Sequence, residues 1–184
     1  MKLRDLEKLM SGRELLSRKI SGYESERIIS RTGRDEFEVA GHIAKAEHNL
    51  EFVKDNMRLG YFDWCITGCY YAVYHAALSL IASKGYASKS HDATVCLLIR
   101  EFYRHGIAHE DVVLINRFFL DYQDLVFYVQ SKNRREKASY SSSLCFDKSE
   151  VGELRLKAIL FVNKAKEILK ADKASRPADM TPRS

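Results

Sequence analysis

The first proline of this 184-residue chain is Pro177, and the only other one is Pro182. Proline interrupts helices because it lacks a backbone N–H and clashes with the preceding turn, so nearly the whole chain is free to be helical. Leu, Ala, Glu, Lys and Arg are frequent, apolar residues recur at helical spacing, and the alternating pattern of strands is missing. These features predict an all-α protein.

Glycines and capping residues divide the chain into helices. The pattern predicts helices over 35–58, 61–83, 90–106, 110–130 and 150–171, with turns at Gly60, Gly85 and Gly106 and a serine-rich loop over 139–147. Ser90 or Asp92 is expected to cap the 90–106 helix. Four or five amphipathic helices joined by short turns predict a helix bundle.

The two ends of the chain are expected to differ from this bundle. Residues 1–34 hold two short helical pieces, split at 11–12 and at 21–22, and are predicted to form an N-terminal helical appendage that packs on the bundle or on a second copy. The bundle itself is expected to span 35–172. Residues 173–184 carry little apolar surface and are predicted to be disordered.

The helix over 61–83 has an unusual composition. It contains Tyr70, Tyr71 and Tyr74, followed by His75 and then by small residues. Side chains one, three and four positions apart cover one broad side of a helix. We therefore expect this helix to have an aromatic face and an alanine-lined face that packs closely against its neighbours.

The composition is that of a soluble globular protein, with 46% hydrophobic and 30% charged residues. No apolar run approaches the roughly 20 residues of a membrane span, and the segment Met1–Glu7 lacks the apolar run of a signal peptide. A cytoplasmic protein without a membrane partner is therefore expected. The net charge of +5 and the pI near 9.0 permit a polyanionic partner.

No metal site or cofactor is predicted. Cys65 and Cys69 lie four apart, with His75 further along the same helix, but structural zinc usually requires a second closely spaced pair. Free thiols packed as small apolar groups are the favoured interpretation. The histidines and carboxylates of the 35–58 helix lack the paired Glu-x-x-His units of a di-iron bundle.

A basic run lies near the end of the fourth bundle segment. Residues 132–137 hold four cations and one acid, and Tyr140 follows soon after. Such a run is usually a solvated surface. Here it also predicts a site for phosphate or RNA, formed by Arg134, Arg135, Lys137 and Tyr140, because arginine binds phosphate with two parallel hydrogen bonds.

Two Arg–His pairs share a spacing of five: Arg100 with His105, and Arg104 with His109. Cleavage of RNA without a metal needs a general base, a general acid and a cation at the phosphate, which such pairs could supply. With many arginines and six histidines, the spacing also arises by chance. A solvated basic helix end beside a turn is the favoured interpretation.

Five short motifs occur in a fixed order: 44–50 (AKAEHNL), 60–64 (GYFDW), 69–77 (CYYAVYHAA), 89–91 (KSH) and 135–140 (REKASY). Together they resemble the HEPN domains of prokaryotic genomes, in particular the uncharacterised UPF0332-like branch. In that branch the second helix reads Tyr-Tyr-Ala-x-Phe/Tyr-His-Ala-Ala and a later motif reads Arg-x-x-Ala-Asp/Ser-Tyr. The resemblance covers about residues 36–170.

The resemblance implies an up-and-down four-helix bundle with an added short helix, usually a homodimer and often encoded beside a minimal nucleotidyltransferase. Catalytic members are metal-independent endoribonucleases that use an Arg-x(4 to 6)-His motif. Carried over, Arg135 or Arg134 would be the phosphate-binding arginine. The histidine is missing, because Ser139 and Tyr140 occupy its neighbourhood and neither is a good base at neutral pH.

The expected function is therefore an RNA- or nucleotide-binding HEPN module, partnered with a minimal nucleotidyltransferase in a toxin–antitoxin or defence pair. Tyr140 is the nearest match to the tyrosine that such a partner modifies with adenylate. One alternative is a metal-independent endoribonuclease, with the candidate catalytic residue His91 or His105 reaching the basic run from another helix or from a second subunit. Another is a non-catalytic protein-interaction module whose basic run is only solvated.

Overall fold

The computed structural model describes residues 1–135 and 147–175 of the chain, with side chains described for 1–123 and 147–175. In chain order the elements are α1 (Leu3–Ser11), α2 (Arg13–Ser25), β1 (Ile29–Arg31), α3 (Glu36–Leu59), α4 (Phe62–Ser83), β2 (Tyr86–Ser88), α5 (His91–Phe102), α6 (His109–Arg135) and α7 (Lys148–Ala174). The prediction of an all-α fold is confirmed. Residues 139–146 of the predicted loop over 139–147 lie outside the described residues, and so do residues 176–184 of the tail over 173–184 that is predicted to be disordered.

Helices α3 and α4 run in opposite directions. The Ser79 hydroxyl, late in α4, donates a hydrogen bond of 2.7 Å to the carbonyl of Val39, early in α3. At the other end of the pair, the Cys65 thiol lies 3.6 Å from the carbonyl of Val53. Contacts at both ends fix these two helices as an antiparallel pair.

Helix α7 runs parallel to α4, and α6 runs against both. Lys84, just after α4, forms an ion pair of 2.8 Å with Asp172, near the end of α7. Lys164 of α7 binds Asp111, in the first turn of α6, at 2.7 Å. Helices α3, α4, α6 and α7 therefore form the up-and-down four-helix bundle that the resemblance implies, and α5 is the additional short helix.

Helix α4 is the centre of the bundle, because it packs against α3, α5, α6 and α7. Its small residues Gly68, Ala72, Ala76 and Ala77 are buried, which allows the neighbouring backbones to approach closely. By length and composition α4 could cross a membrane, contrary to the expectation of no such run. However, 67% of its most apolar window is buried inside the protein, which is the burial of a core helix.

The helix ends follow local capping rules. The side chain of Asp35 caps the start of α3, and Gly60 caps its end with a φ of 79°, the left-handed conformation that glycine adopts easily. Of the two candidate caps for α5, Ser90 is the one that accepts a hydrogen bond, from the backbone N–H of Ala93. Asp147 and Glu150 form a reciprocal capping box at the start of α7.

Three predicted boundaries are wrong. Helix α2 continues through the expected break at 21–22 to Ser25, because a single Gly costs a helix only about 1 kcal/mol. Helix α5 ends at Phe102 rather than at 106, where a tight turn returns the N–H of Ile107 to the carbonyl of Phe102 at 3.1 Å. Helix α7 extends to Ala174, beyond its predicted end at 171, so residues 173 and 174 of the tail that was expected to be disordered are helical.

The appendage packs on the bundle. Buried side chains of α1 and α2, namely Leu6, Leu9, Leu16 and Ile20, join the core, and both helices contact α5. The strand β1 pairs antiparallel with β2, with Ile29 opposite Ser88 and Arg31 opposite Tyr86. The sequence did not predict this small sheet, which ties the appendage to the segment between α4 and α5.

Candidate functional site: an open aromatic face

In the described part of the chain, one side of α4 is left open to solvent between α3 and α6. Helical spacing places Trp64, Tyr71 and His75 on this side. Trp64 is 60% exposed and Tyr71 is 37% exposed, although most of α4 is buried. We call the surface formed by His42 and Phe52 of α3, Trp64, Tyr71 and His75 of α4, and Tyr122 of α6 the open aromatic face.

Stacked tyrosines join α4 to α6 beneath this face. The Tyr70 ring stacks on that of Tyr122, with centroids 4.3 Å apart and planes 9° apart, and on that of Tyr74 at 5.6 Å. The hydroxyls of Tyr71 and Tyr122 are 3.3 Å apart. This hydrogen bond, with burial, raises the pKa of Tyr122 to about 12, and burial raises that of Tyr70. Tyr70 and Tyr122 are therefore neutral at neutral pH.

A pair of histidines lies on the same face. The Nδ1 atoms of His42 and His75 are 3.1 Å apart, so one ring donates a hydrogen bond to the other, and the ring centroids are 5.3 Å apart. Burial is the largest cause that lowers the pKa of both rings, that of His75 to about 4, and the charge of nearby Lys45 lowers both further. Both imidazoles are therefore neutral at neutral pH.

The structure reaches only part of the predicted phosphate site. Arg134 and Arg135 are the last two residues of α6, whereas Lys137 and Tyr140 lie outside the described residues. Because α6 runs antiparallel to α4, it leads from Tyr122 toward the end of the bundle where α4 begins. The backbone of Arg135 follows that of Tyr122 by about 20 Å along the helix. The shared site of all four residues stays a prediction.

The first candidate catalytic histidine, His91, belongs to the core. Only 5% of it is exposed, its ring stacks on Phe119 at 4.0 Å, and neither ring nitrogen has a hydrogen-bond partner among the described residues. Burial and the nearby N-terminal ammonium lower its pKa to about 3. Its stacking partner Phe119 precedes Arg135 by more than four turns of α6, about 24 Å.

The second candidate, His105, is exposed in the turn before α6. Arg135 ends that helix, whose 27 residues span about 40 Å. Within one chain, neither His105 nor His91 therefore lies beside Arg134 and Arg135. A contribution from a second subunit stays a prediction.

The two Arg–His pairs also lie around this turn. The Arg100 guanidinium donates a hydrogen bond of 2.7 Å to Glu101 and lies 4.7 Å from the ring of Tyr86. Arg104, with a φ of 66°, and His109, the first residue of α6, are both exposed. These surroundings fit a basic helix end beside a turn.

The cysteines of the described residues are buried free thiols. Burial raises the pKa of Cys69 to about 12 and that of Cys96 to about 11, and it also raises that of Cys65. Cys65 and Cys69 are in the core, whereas His75 is on the open side of α4. In the described ranges, no group of three or more His, Cys, Asp or Glu side chains could share a metal ion.

A groove of about 240 Å³ lies between α6 and α7. Its apolar floor and charged rim are formed by His109, Glu110, Val113, Leu114, Arg117, Phe118, Asp121, Leu154 and Lys157. Arg117 is 3.7 Å from Asp121, so two of the opposite charges on the rim are paired. The sequence did not identify this groove, because its lining comes from helices that are separated in the chain.

Comparison with known proteins gives the family. The HEPN domain family matches residues 39–168, which include the open aromatic face and both arginines. The chain belongs to the HEPN family. It is also similar to a UPF0332 protein of Archaeoglobus fulgidus, with 29% identity over 132 residues that cover 72% of this chain and 94% of the relative.

A second relative carries a functional name. The protein named "Putative toxin MJ0142" of Methanocaldococcus jannaschii is 24% identical over 127 residues, covering 69% of this chain and 78% of the relative. The resemblance to HEPN domains is thus confirmed. Helices α1 and α2 and strand β1 precede the matched range.

Proposed function

We propose that this HEPN protein binds single-stranded RNA on the open aromatic face. The observation that carries the proposal is the exposure of Trp64, Tyr71 and Phe52 on one side of the bundle. Unpaired bases stack on exposed aromatic side chains, and each stacked base contributes about 1–3 kcal/mol. Because several exposed rings lie on the same side of the bundle, a single strand with unpaired bases can stack on more than one of them.

Positive charge around this face supports RNA over an uncharged partner. Lys45 of α3 lies close enough to the histidine pair to lower the pKa of both rings. Further along α6, Arg134 and Arg135 end the helix that contributes Tyr122. Basic groups beside stacking rings are the usual combination for binding single strands, because the backbone carries a charge at each phosphate.

The biological setting is proposed from the family and the named relative. We place the protein in a toxin–antitoxin or defence pair, as a homodimer that works with a minimal nucleotidyltransferase. A relative that carries the name of a toxin supports this setting. Light scattering after gel filtration tests the homodimer, and co-purification with a nucleotidyltransferase encoded beside the gene tests the pair.

RNA binding can be tested through the one tryptophan of the chain. A single-stranded RNA of about 12 nucleotides is added to the full chain while the Trp64 fluorescence and the anisotropy of labelled RNA are recorded. We expect quenching of the tryptophan, since a stacked base changes its surroundings. Trp64→Ala should weaken binding by about tenfold, within the range for one stacked base.

The matched control is Leu160→Ala. Leu160 is 59% exposed, close to the 60% of Trp64, but it lies on α7 away from the open aromatic face. This variant should bind RNA as the parent does, and a duplex of the same sequence should bind more weakly because its bases are stacked internally. RNA binding that leaves Trp64 fluorescence unchanged, or that weakens equally in both variants, would contradict the proposal.

Binding is proposed rather than cleavage. A ribonuclease of this family would need a base near the phosphate-binding arginine. In the described part of one chain, His91 is buried and His105 is at the opposite end of α6 from Arg134 and Arg135. Incubating the protein with RNA and EDTA gives the direct test, since products that form only with intact His91 or His105 would support the enzyme instead.

A further inference from the structure

The geometry of the histidine pair fits a metal ion. Imidazole nitrogens bind zinc at about 2.0–2.1 Å. At the observed Nδ1–Nδ1 separation of 3.1 Å, bonds of that length meet at an angle of roughly 95–102°. This value lies between the square-planar or octahedral and the tetrahedral angles, so both His42 and His75 could bind one ion with little movement.

The carboxylate of Glu38 lies near His42, on the side of the ring away from His75. Glu38 Oε2 is 3.9 Å from Nε2 of His42, the ring nitrogen that faces away from His75. Histidines that bind metals usually donate their other ring N–H to a carboxylate or a carbonyl, which fixes the orientation of the ring. If Nδ1 of His42 binds the ion, Nε2 carries the hydrogen, and Glu38 would accept it once the 3.9 Å separation shortened to hydrogen-bond distance.

The surroundings leave room for further ligands. The side chain of His42 is 20% exposed, and His75 is likewise only partly buried, so water reaches both rings. Lys45 opposes a cation, because its charge acts on both histidines.

We propose that His42 and His75 form a two-histidine site for a divalent late transition-metal ion of the zinc, nickel and copper class, with water molecules completing the coordination. Imidazole favours these ions over magnesium or calcium. Both histidines belong to the open aromatic face, but metal binding is a separate property of that face and is tested without nucleic acid.

The test uses the full chain without a histidine tag, stripped with a chelator and then separated from it. Isothermal titration with ZnCl₂ measures affinity and stoichiometry, and the visible spectrum after addition of Co²⁺ reports on the geometry at the ion. We expect one ion per chain. His42→Ala and His75→Ala should each reduce binding to the level of the double variant.

Three further variants sharpen this test. His48→Ala is the matched control, since His48 is an exposed histidine on the same helix as His42, and it should bind as the parent does. Glu38→Gln should weaken binding by about tenfold, as for other carboxylates behind a metal ligand. Lys45→Met should tighten binding, because it removes an opposing charge.

Circular dichroism confirms that each variant is folded. If the histidine variants lose helicity, Glu38→Gln and Lys45→Met still decide the matter, because both side chains are exposed and their effects must have opposite signs. One equivalent of zinc bound by the double variant would overturn the proposal, and so would equal losses in His48→Ala and His42→Ala. Unchanged affinity in both Glu38→Gln and Lys45→Met would also overturn it.

Discussion

Gly68 sets the distance between α3 and α4. A Cβ at this position would lie 2.5 Å from Cγ2 of Val53 and 3.0 Å from Cδ1 of Phe52. Val53 is fully buried and its short branched side chain has little freedom to turn away. Gly68→Ala should therefore lower the free energy of unfolding by about 1–3 kcal/mol, the usual cost of overpacking a core, measured by urea denaturation followed by circular dichroism.

Gly41 provides the control for this substitution. It lies inside α3, and a Cβ there would meet no atom within 4 Å in the part of the chain that the structure describes. Gly41→Ala should raise the free energy of unfolding by about 0.5–1 kcal/mol, because alanine loses less backbone entropy in a helix. If both variants changed stability in the same direction, close packing at Gly68 would not be the cause.

His91 makes stability depend on acid. Its pKa of about 3 in the folded protein is below the value of about 6.5 in an unfolded chain. The unfolded state therefore binds more protons between these two values. The contribution of His91 to the free energy of unfolding is fully present above pH 6.5 and is lost as the pH is lowered toward 3. At pH 5 this loss is about 2 kcal/mol.

His91→Phe tests this acid dependence. Phenylalanine keeps a flat ring against Phe119 and cannot be protonated. Urea denaturation of this variant from pH 7 to pH 5 should show a loss of stability smaller by about 2 kcal/mol than that of the parent. Equal slopes for the parent and His91→Phe would show that another group causes the acid loss.

Single residues differ in how far the sequence reveals their roles. Ser90 was a predicted cap because serine before an apolar helical run is a local signal. The pairing of His42 with His75 depends on how α3 packs against α4, and no spacing within either helix contains that information. The burial of His91 is hidden for the same reason, since its partner Phe119 is in another helix.

Helix α2 attaches the appendage to the bundle. Ile20 is 2% exposed and belongs to the core cluster, whereas Leu15 of the same helix is 43% exposed. Ile20→Ala should destabilise the protein by about 2–5 kcal/mol, the cost of removing a buried side chain and leaving a cavity. Leu15→Ala should change stability by less than about 0.5 kcal/mol.

Hydrogen exchange separates two ways in which Ile20→Ala could act. If the appendage folds cooperatively with the bundle, amides of α2 and α4 should lose protection together. If only the appendage loosens, the loss should be confined to α1, α2 and β1. Unchanged stability in both Ile20→Ala and Leu15→Ala would contradict the docking of α2 on α5.

At the scale of elements, long helices were predictable and short elements were not. Periodic apolar residues and the signals at Gly60 and Ser90 located the bundle helices to within a few residues. The strands β1 and β2 have three residues each, too few for an alternating pattern to be recognised. The two strands pair although all of α3 and α4 lies between them in the sequence, and no local sequence signal predicts such a pairing.

For the molecule as a whole, the sequence predicted the bundle and one aromatic side of α4, but not which side stays uncovered. That property depends on the positions of α3 and α6 relative to α4. The basic run was visible because charge is a local property of the sequence. Helix α6 joins these two surfaces, from Tyr122 to Arg135. Their relative position follows from the directions of α4 and α6 in the folded protein, which the sequence does not contain.

This relation gives a prediction that separates stacking from charge. Each phosphate contact to single-stranded nucleic acid contributes about 0.7 to the slope of log affinity against log salt, whereas stacking contributes little. Arg134→Ala combined with Arg135→Ala should therefore reduce the slope by about 1.4 if each arginine binds one phosphate. Trp64→Ala should weaken RNA binding at every salt concentration and leave the slope unchanged. Fluorescence anisotropy over a series of NaCl concentrations measures both the affinity and the slope.

A slope that is unaltered in the double arginine variant would remove the end of α6 from the RNA-binding surface. A slope reduced by Trp64→Ala would mean that this ring positions charged groups instead of stacking on a base.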